Sequence, residues 1–253
     1  YDAAPQRRET ILEQLRRAGH VSVSGISQQL SVSEMTVRRD LRRLAASGEA
    51  VLVHGGASLP PNARAHPAFL SRALINGDAK RRIGRAAAAM VSGGDTVGID
   101  AGTTALEVAT ALPDDFAGCV VTHSVPALAA MLNRPAARAI AVGGELSQEN
   151  QALIGPSAAQ FVGNLRLNVL MLGATSIDDR GLYVLSELEL SVKQAMIEAA
   201  DHIVLVSDTS KEGSPGAVRV CGLERIDTVV TDGSFGERLT GRLRQIGARV
   251  VVA

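Results

Sequence analysis

A chain of 253 residues, 46% hydrophobic and 21% charged, can bury a substantial core, which excludes a short binding peptide and wholesale disorder. With 2% aromatic residues, no Trp, four Phe and two Tyr, it lacks the rings for a single-stranded nucleic-acid stacking platform, and this argues against RNA binding. The formal net charge of zero is a cancellation: residues 1–82 hold 13 Lys and Arg against 7 Asp and Glu and the remainder 13 against 19, as expected of a basic polyanion-binding end on an acidic body.

Taken in chain order, Ile11, Leu12 and Leu15 form one apolar stripe between Pro5 and Gly19, which predicts a helix of about three turns. Val21 and Val23 alternate with Ser22 and Ser24, a short strand feeding a helix over Ile26 to Leu30, with a turn at Ser31 and Val32. Ser33 is a good N-cap with Glu34 in the first turn behind it, and Val37, Leu41 and Leu44 then recur at helical spacing up to Gly48. On a helical wheel starting at Val37, the apolar Val37, Leu41, Leu44 and Ala45 fall between about 340° and 80°, and Arg38, Arg39, Arg42 and Arg43 between about 100° and 240°. The four arginines share the face opposite the core, with only Asp40 among them, on the second helix of a helix-turn-helix. A run of charge is usually a solvated face, but this placement points to DNA.

The stretch from Arg8 to Ala57, with Val32-Ser33 at the turn, Thr36-Val37-Arg38-Arg39-Asp40-Leu41 on the helix and His54-Gly55-Gly56-Ala57 closing a hairpin, resembles the N-terminal winged helix-turn-helix of the DeoR family of bacterial transcriptional repressors. The resemblance implies that Leu52 to Ala57 are the wing and its exit. It also implies that Ser33, Met35, Thr36, Arg38 and Arg39 enter the major groove, with Arg42 and Arg43 further along and better placed for phosphates.

Residues 58 to 79, with Pro60, Pro61 and Pro67, have no sustained periodicity and read as a linker. The expected division is 1–58 for the DNA-binding domain, 59–78 for the linker and 79–253 for an effector domain. Beyond the linker, strands are predicted at Thr96–Asp100, Cys119–Thr122, Ala139–Val142, Val169–Leu172, Ile203–Ser207, Thr228–Thr231 and Val250–Val252. Helices fall between most of them, at Ala79–Val91, Thr103–Leu112, Pro126–Leu132, Glu187–Ala200 and Phe235–Ile246, an alternation that predicts an α/β fold with a mainly parallel sheet. Cys119 and Cys221 lie in or beside apolar runs without paired metal-site spacing, and read as buried thiols in a reducing compartment. No apolar stretch suits a membrane span and the N-terminus carries charge where a signal peptide needs an apolar run, so a cytoplasmic protein is expected. No metal or cofactor is expected.

In open α/β sheets the ligand sits beyond the carboxyl ends of the strands. The turn Asp100-Ala101-Gly102-Thr103-Thr104 joins a strand directly to a helix: Gly102 admits an anion, the threonines offer hydroxyls, and the helix start offers free N–H groups. As a capped helix start alone it would mean nothing. Other turns at the same edge add His123-Ser124, Gly143-Gly144 and Asp208 to Lys211, where Lys211 could meet a phosphate. The same residues, with Lys80, the Val192-Lys193-Gln194-Ala195-Met196 helix and Thr231-Asp232, resemble the C-terminal effector domain of the DeoR family. That resemblance implies a fold similar to ribose phosphate isomerase and CoA transferases, with a phosphorylated sugar as inducer; the family usually has Asn where this chain has His123.

The function expected is therefore a DNA-binding regulator, a repressor of a carbohydrate catabolic operon released from double-stranded operator DNA by a phosphorylated sugar, and acting as a homodimer or larger even oligomer. The alternative is a sugar phosphate isomerase or CoA transferase with an accessory DNA-binding domain. That chemistry needs a carboxylate base or nucleophile, and Asp178, Asp179 and Glu187 are the loop-proximal candidates.

Overall fold

The computed structural model describes residues 3–18, 20–47, 49–53, 55–58, 69–214 and 216–253. It divides into two compact units, residues 1–68 and 69–253.

In the first unit, helix α1 (Ala3–Ala18) leads into strand β1 (His20–Ser22), helices α2 (Val23–Leu30) and α3 (Glu34–Ala46), and strands β2 (Val51–Val53) and β3 (Gly56–Ser58). Helix α2 begins three residues earlier than Ile26, because Ser22 caps it by accepting from Gly25 N at 3.0 Å. The turn to α3 is made by Ser31 in the left-handed region, at φ 51°. The strands form an antiparallel sheet in the order β1-β3-β2. Gly56 is required where β3 crosses β1, since a Cβ there would lie 2.0 Å from Val21 O. Ile11, Leu15, Ile26, Val37, Leu41 and Ala57, all at most 2% exposed, join the three helices and the hairpin in one core. Gly48 and His54, used in the sequence reading as helix end and wing exit, lie outside the described residues.

The second unit opens earlier than expected. Of the linker read at 59–78, residues 59–68 lie outside the described residues, but 69–74 form helix α4 (Phe69–Leu74) and the next helix, α5 (Gly77–Ala88), has already begun at 77. Phe69 is the reason: it is 3% exposed, packed like a core residue, and its N–H donates to Glu149 O at 3.0 Å. The chain continues through β4 (Thr96–Ile99), α6 (Thr103–Ala111), β5 (Cys119–Thr122), α7 (Val125–Met131), β6 (Arg138–Ala141), β7 (Glu145–Ser147), β8 (Ala152–Ile154), α8 (Pro156–Val162) and β9 (Val169–Leu172). It ends with β10 (Ser176–Asp178), β11 (Gly181–Val184), α9 (Leu190–Ala199), β12 (Ile203–Val206), β13 (Val218–Cys221), β14 (Thr228–Thr231), α10 (Glu237–Gln245) and β15 (Arg249–Val252).

Seven strands form one parallel sheet in the order β15-β14-β12-β9-β4-β5-β6. Alternate side chains feed two cores. Val169 and Met171 join Ile83, Ala105, Val108 and Ala127 of α5, α6 and α7 on one face, while Leu170 and Leu172 join Ala158, Val192, Met196 and Leu243 of α8, α9 and α10 on the other. Burial on both faces is why central strands such as β9 and β12 read as unbroken apolar runs, whereas the edge strands β6 and β15 are largely exposed. The hairpin β7–β8 and a small antiparallel sheet, β10-β11-β13, are additions that the sequence reading did not contain.

Both cysteines are free and only half-buried, not buried as expected, because Cys119 opens β5 and Cys221 closes β13 at strand ends. Partial burial raises both thiols, Cys221 to about 11. Among the described residues no helix is long and apolar enough to cross a membrane.

Candidate functional site

The first unit presents one outward-facing cluster. Helix α3 is fixed from its buried side by Val37, Leu41 and Leu44 and by Asp40, 1% exposed, which accepts from Arg7 Nε at 2.6 Å and has Arg8 at 3.7 Å, both on α1. The one acid within the arginine run is therefore occupied on the core side, and Arg38, Arg39, Arg42 and Arg43 all stand exposed. Arg38 leans on Glu34, one turn back at 3.4 Å. Ser33 accepts from Thr36 N at 3.2 Å and its hydroxyl lies 2.9 Å from that of Thr36, while Met35 is 72% exposed beside them. The sequence-predicted residues thus share the first turn and outer face of one helix. Arg38 and Arg42 also line a shallow groove with Leu52 and Val53 of β2, an edge strand whose three side chains are all exposed.

The second unit holds its site where the strand order reverses. Strands β4, β5 and β6 build outward one way and β9, β12, β14 and β15 the other, so the chain leaves β4 and β9 in opposite directions and opens a crevice at their carboxyl ends. A cleft of about 570 Å³, counted with its open mouth, lies there. Its base is residues 101–105, the turn after β4 and the start of α6, residues 173–175 after β9, and Val206 and Ser207 at the end of β12, with Lys211 beside them. Gly102, Thr103 and Thr104 open α6, whose first-turn N–H groups have no partner within the helix, and the cation of Lys211 faces the same space. This combination suits an anion.

The other sequence-predicted residues are placed differently. Asp100 is fully buried: its Oδ2 accepts from Lys193 Nζ and from Gly173 N at 2.9 Å, and Lys193 also donates to Gly173 O at 3.2 Å. It locks the turn after β4 to the turn after β9 from below. His123, 1% exposed, lies behind that lock with Nε2 3.6 Å from Asp100 Oδ1. Burial, aided by Lys193 and opposed by Asp100, lowers it to about 4, so the ring is neutral. Ser124 is fully buried and caps α7, accepting from Ala127 N at 3.3 Å. Gly143 and Gly144 are exposed and do not line the cleft; Gly144 sits at φ +151°, where a Cβ would meet Ile154 O of β8 at 2.5 Å. Its role is to let the chain enter the β7–β8 hairpin.

Three cleft residues carry no local sequence signal. Arg72 of α4, Asn150 of the β7–β8 turn and Glu189 before α9 form a wall in which Arg72 Nη2 donates to Asn150 Oδ1 at 2.7 Å and Asn150 Nδ2 donates to Glu189. Burial raises the Glu189 carboxyl, with Lys193 opposing. Lys80, 2% exposed, donates to Arg72 O and is lowered to about 8 by burial and then by Lys211. The expected enzyme carboxylates are elsewhere: Asp178 accepts from Arg180, Asp179 from Arg238 at 2.6 Å, and Glu187 is exposed, and none lines the cleft.

An exposed arginine face on a helix-turn-helix and a polar cleft at the reversal of a parallel sheet are the two parts of a ligand-responsive DNA-binding regulator. Comparison with known proteins gives the same class: a DeoR-like helix-turn-helix domain matches residues 7–62 and a DeoR C terminal sensor domain matches residues 75–233. The chain is 34% identical over 247 residues to the HTH-type transcriptional regulator GlpR of Haloferax volcanii, covering 97% of this chain and 96% of that one. It is 34% identical over 228 residues to the glycerol-3-phosphate regulon repressor of Escherichia coli, covering 90% of each. This chain belongs to the DeoR family of transcriptional regulators. A partial likeness in topology to ribose 5-phosphate isomerase A of Methanocaldococcus jannaschii has a TM-score of 0.40 at 14% identity, over 54% of this chain and 55% of that one, and says nothing about activity.

Proposed function

We propose that this regulator is a cytoplasmic repressor of a carbohydrate catabolic operon that leaves its operator when a phosphorylated sugar enters the cleft. The observation that carries this is the meeting of the α6 first turn, Gly102 to Thr104, with Lys211 at the reversal point of the sheet. Backbone donors, a helix dipole and one cation there are matched to a phosphate monoester, and the relatives named for repression of a glycerol 3-phosphate regulon support the same reading. Binding as a homodimer or larger even oligomer follows from the small number of base pairs one recognition helix can touch. The part is that of a sensor, not an enzyme: Asp178, Asp179 and Glu187 are away from the cleft, and the carboxylate that does line it, Glu189, is tied to Asn150.

Calorimetry on the full chain tests this. A panel of glycerol 3-phosphate, ribose 5-phosphate, fructose 6-phosphate and glucose 6-phosphate is expected to contain a binder whose unphosphorylated parent binds at least about a hundredfold more weakly, since charge-assisted contacts supply most of the affinity. Equal binding of both forms would move the site or change the ligand. Lys211→Ala should hold its operator yet fail to release it at the concentration that releases wild type. A wild-type response, or loss of DNA binding in a folded variant, would sink this assignment.

A further inference from the structure

Met35 is out of keeping with a surface built for a polyanion. It is 72% exposed, and among the described residues it is the one large hydrophobic side chain that the helices of the first unit leave in water. On the helical wheel of α3, with Val37 at zero, Met35 falls at about 160°, between Arg39, one turn further on at about 200°, and Arg42, two turns further on at about 140°. It stands in the middle of the arginine face and not at its margin. The core does not use it: the α3 side chains packed there are Val37, Leu41 and Leu44.

The polar side chains of the same turn are occupied with each other. The Ser33 and Thr36 hydroxyls lie 2.9 Å apart, and Glu34 accepts from Arg38 Nη2 at 3.4 Å. Met35 projects between them with nothing to offer a phosphate oxygen, so the side chain at the centre of this face is not an anchor on the DNA backbone. The major groove holds one apolar partner for it. Hydrogen-bond donors and acceptors line the edges of all four base pairs, and the C5-methyl of thymine is the apolar group among them. The first turn of a recognition helix is the part that reaches base edges, and an unbranched, polarisable thioether chain adapts to a methyl group without a tailored pocket.

We propose that Met35 reads a thymine of the operator through its C5-methyl group, and so sets the preference at a position that the arginines do not. This rests on the reading of α3 as the helix that enters the major groove. Arginine selects guanine through O6 and N7 or holds phosphates in any sequence, and neither contact favours thymine. The Met35 contact takes two apolar groups out of water at once. Its free energy is hydrophobic and releases no counterions, which separates it from every contact made by the arginines around it.

The test uses the full chain and a library of duplex DNA with a randomised centre, from which the sequence that wild type prefers is selected. Single thymines in that sequence are then replaced by deoxyuridine, which removes the methyl group and keeps the base pair. At one thymine of each half-site the replacement should weaken wild-type binding about fourfold, the worth of one buried methyl group, and should change binding of Met35→Ala by less than about 1.5-fold. Arg39→Ala should keep the full penalty. Met35→Ala, an exposed change to a good helix former, should fold as wild type and bind the intact sequence more weakly with its salt slope unchanged. Met35→Leu, which stays apolar, should retain the thymine preference, and a repeated selection with Met35→Gln should lose it, because an amide pairs with adenine. Wild type indifferent to deoxyuridine at every position, or Met35→Ala that keeps the full penalty, overturns the proposal alone. Failure of wild type to select any sequence overturns the operator reading together with it.

Discussion

The protein carries its cations in two opposite ways. On α3 the arginines 38, 39, 42 and 43 stand in water, and the single acid among them is turned inward to Arg7 and Arg8. In the sensor the cations are sunk: Lys193 is 2% exposed and bound to a fully buried Asp100, and Lys80 is 2% exposed beneath Arg72. The exposed set costs little to keep and is ready for a polyanion that arrives from solvent. The buried set is expensive to hold unless every partner is in place, and so it fixes a shape. One region meets its ligand with charge, the other uses charge to build the seat.

The largest effect should come from breaking the buried set. Lys193→Met leaves the Asp100 carboxylate alone in the interior, and denaturant unfolding should show a loss of about 3–5 kcal/mol. Adding Asp100→Asn should recover part of it. A single variant as stable as wild type would mean that the pair does not hold the turns after β4 and β9 together.

His123 should show the next largest effect, through pH. Its folded-state pKa of about 4 lies below the ordinary 6.5, so the unfolded chain binds the proton more readily, and stability is full above pH 6.5 and falls as pH drops toward 4. Over that window this one group contributes about 3 kcal/mol. Replacing it in His123→Gln should flatten the stability profile between those limits. An unchanged slope would contradict the burial of a neutral ring behind Asp100.

On the exposed set the changes should be smaller and should separate. Arg39→Ala is expected to cost about 1–3 kcal/mol on operator and to relax sequence preference if it reads a guanine, whereas Arg43→Ala should weaken all sequences alike and lower the salt slope by about one. Stability should hardly move, since both side chains are exposed. Equal losses on operator and random DNA for both variants would erase the distinction between base reading and backbone anchoring.

The same contrast explains what the sequence made legible. The arginine face of α3 follows from helical period alone, and its Ser33 cap and its apolar Val37, Leu41 and Leu44 are neighbours in sequence. The Gly102 to Thr104 turn is equally local, a strand, a glycine, two threonines and a helix start in a row. Strands such as Val169–Leu172 and Ile203–Val206 are visible because burial on both faces leaves them unbroken apolar runs. The wall of the cleft is not local at all. Arg72, Asn150 and Glu189 come from three separated segments, and Lys193 finds Asp100 across 93 residues, so no window of sequence contains either arrangement. The burial of His123 and Ser124 is hidden for a related reason: a strand end at the right edge of the sheet can turn inward, and only packing shows that it does.

The measurement closest to the central claim is operator affinity with and without a saturating sugar phosphate, set beside sugar phosphate affinity with and without operator, on the wild-type full chain at fixed salt. The account predicts that the ligand weakens operator binding and that operator weakens ligand binding by the same factor, as linkage requires of two sites on one regulator. A sugar phosphate that binds tightly in the cleft and leaves operator affinity unchanged would contradict it.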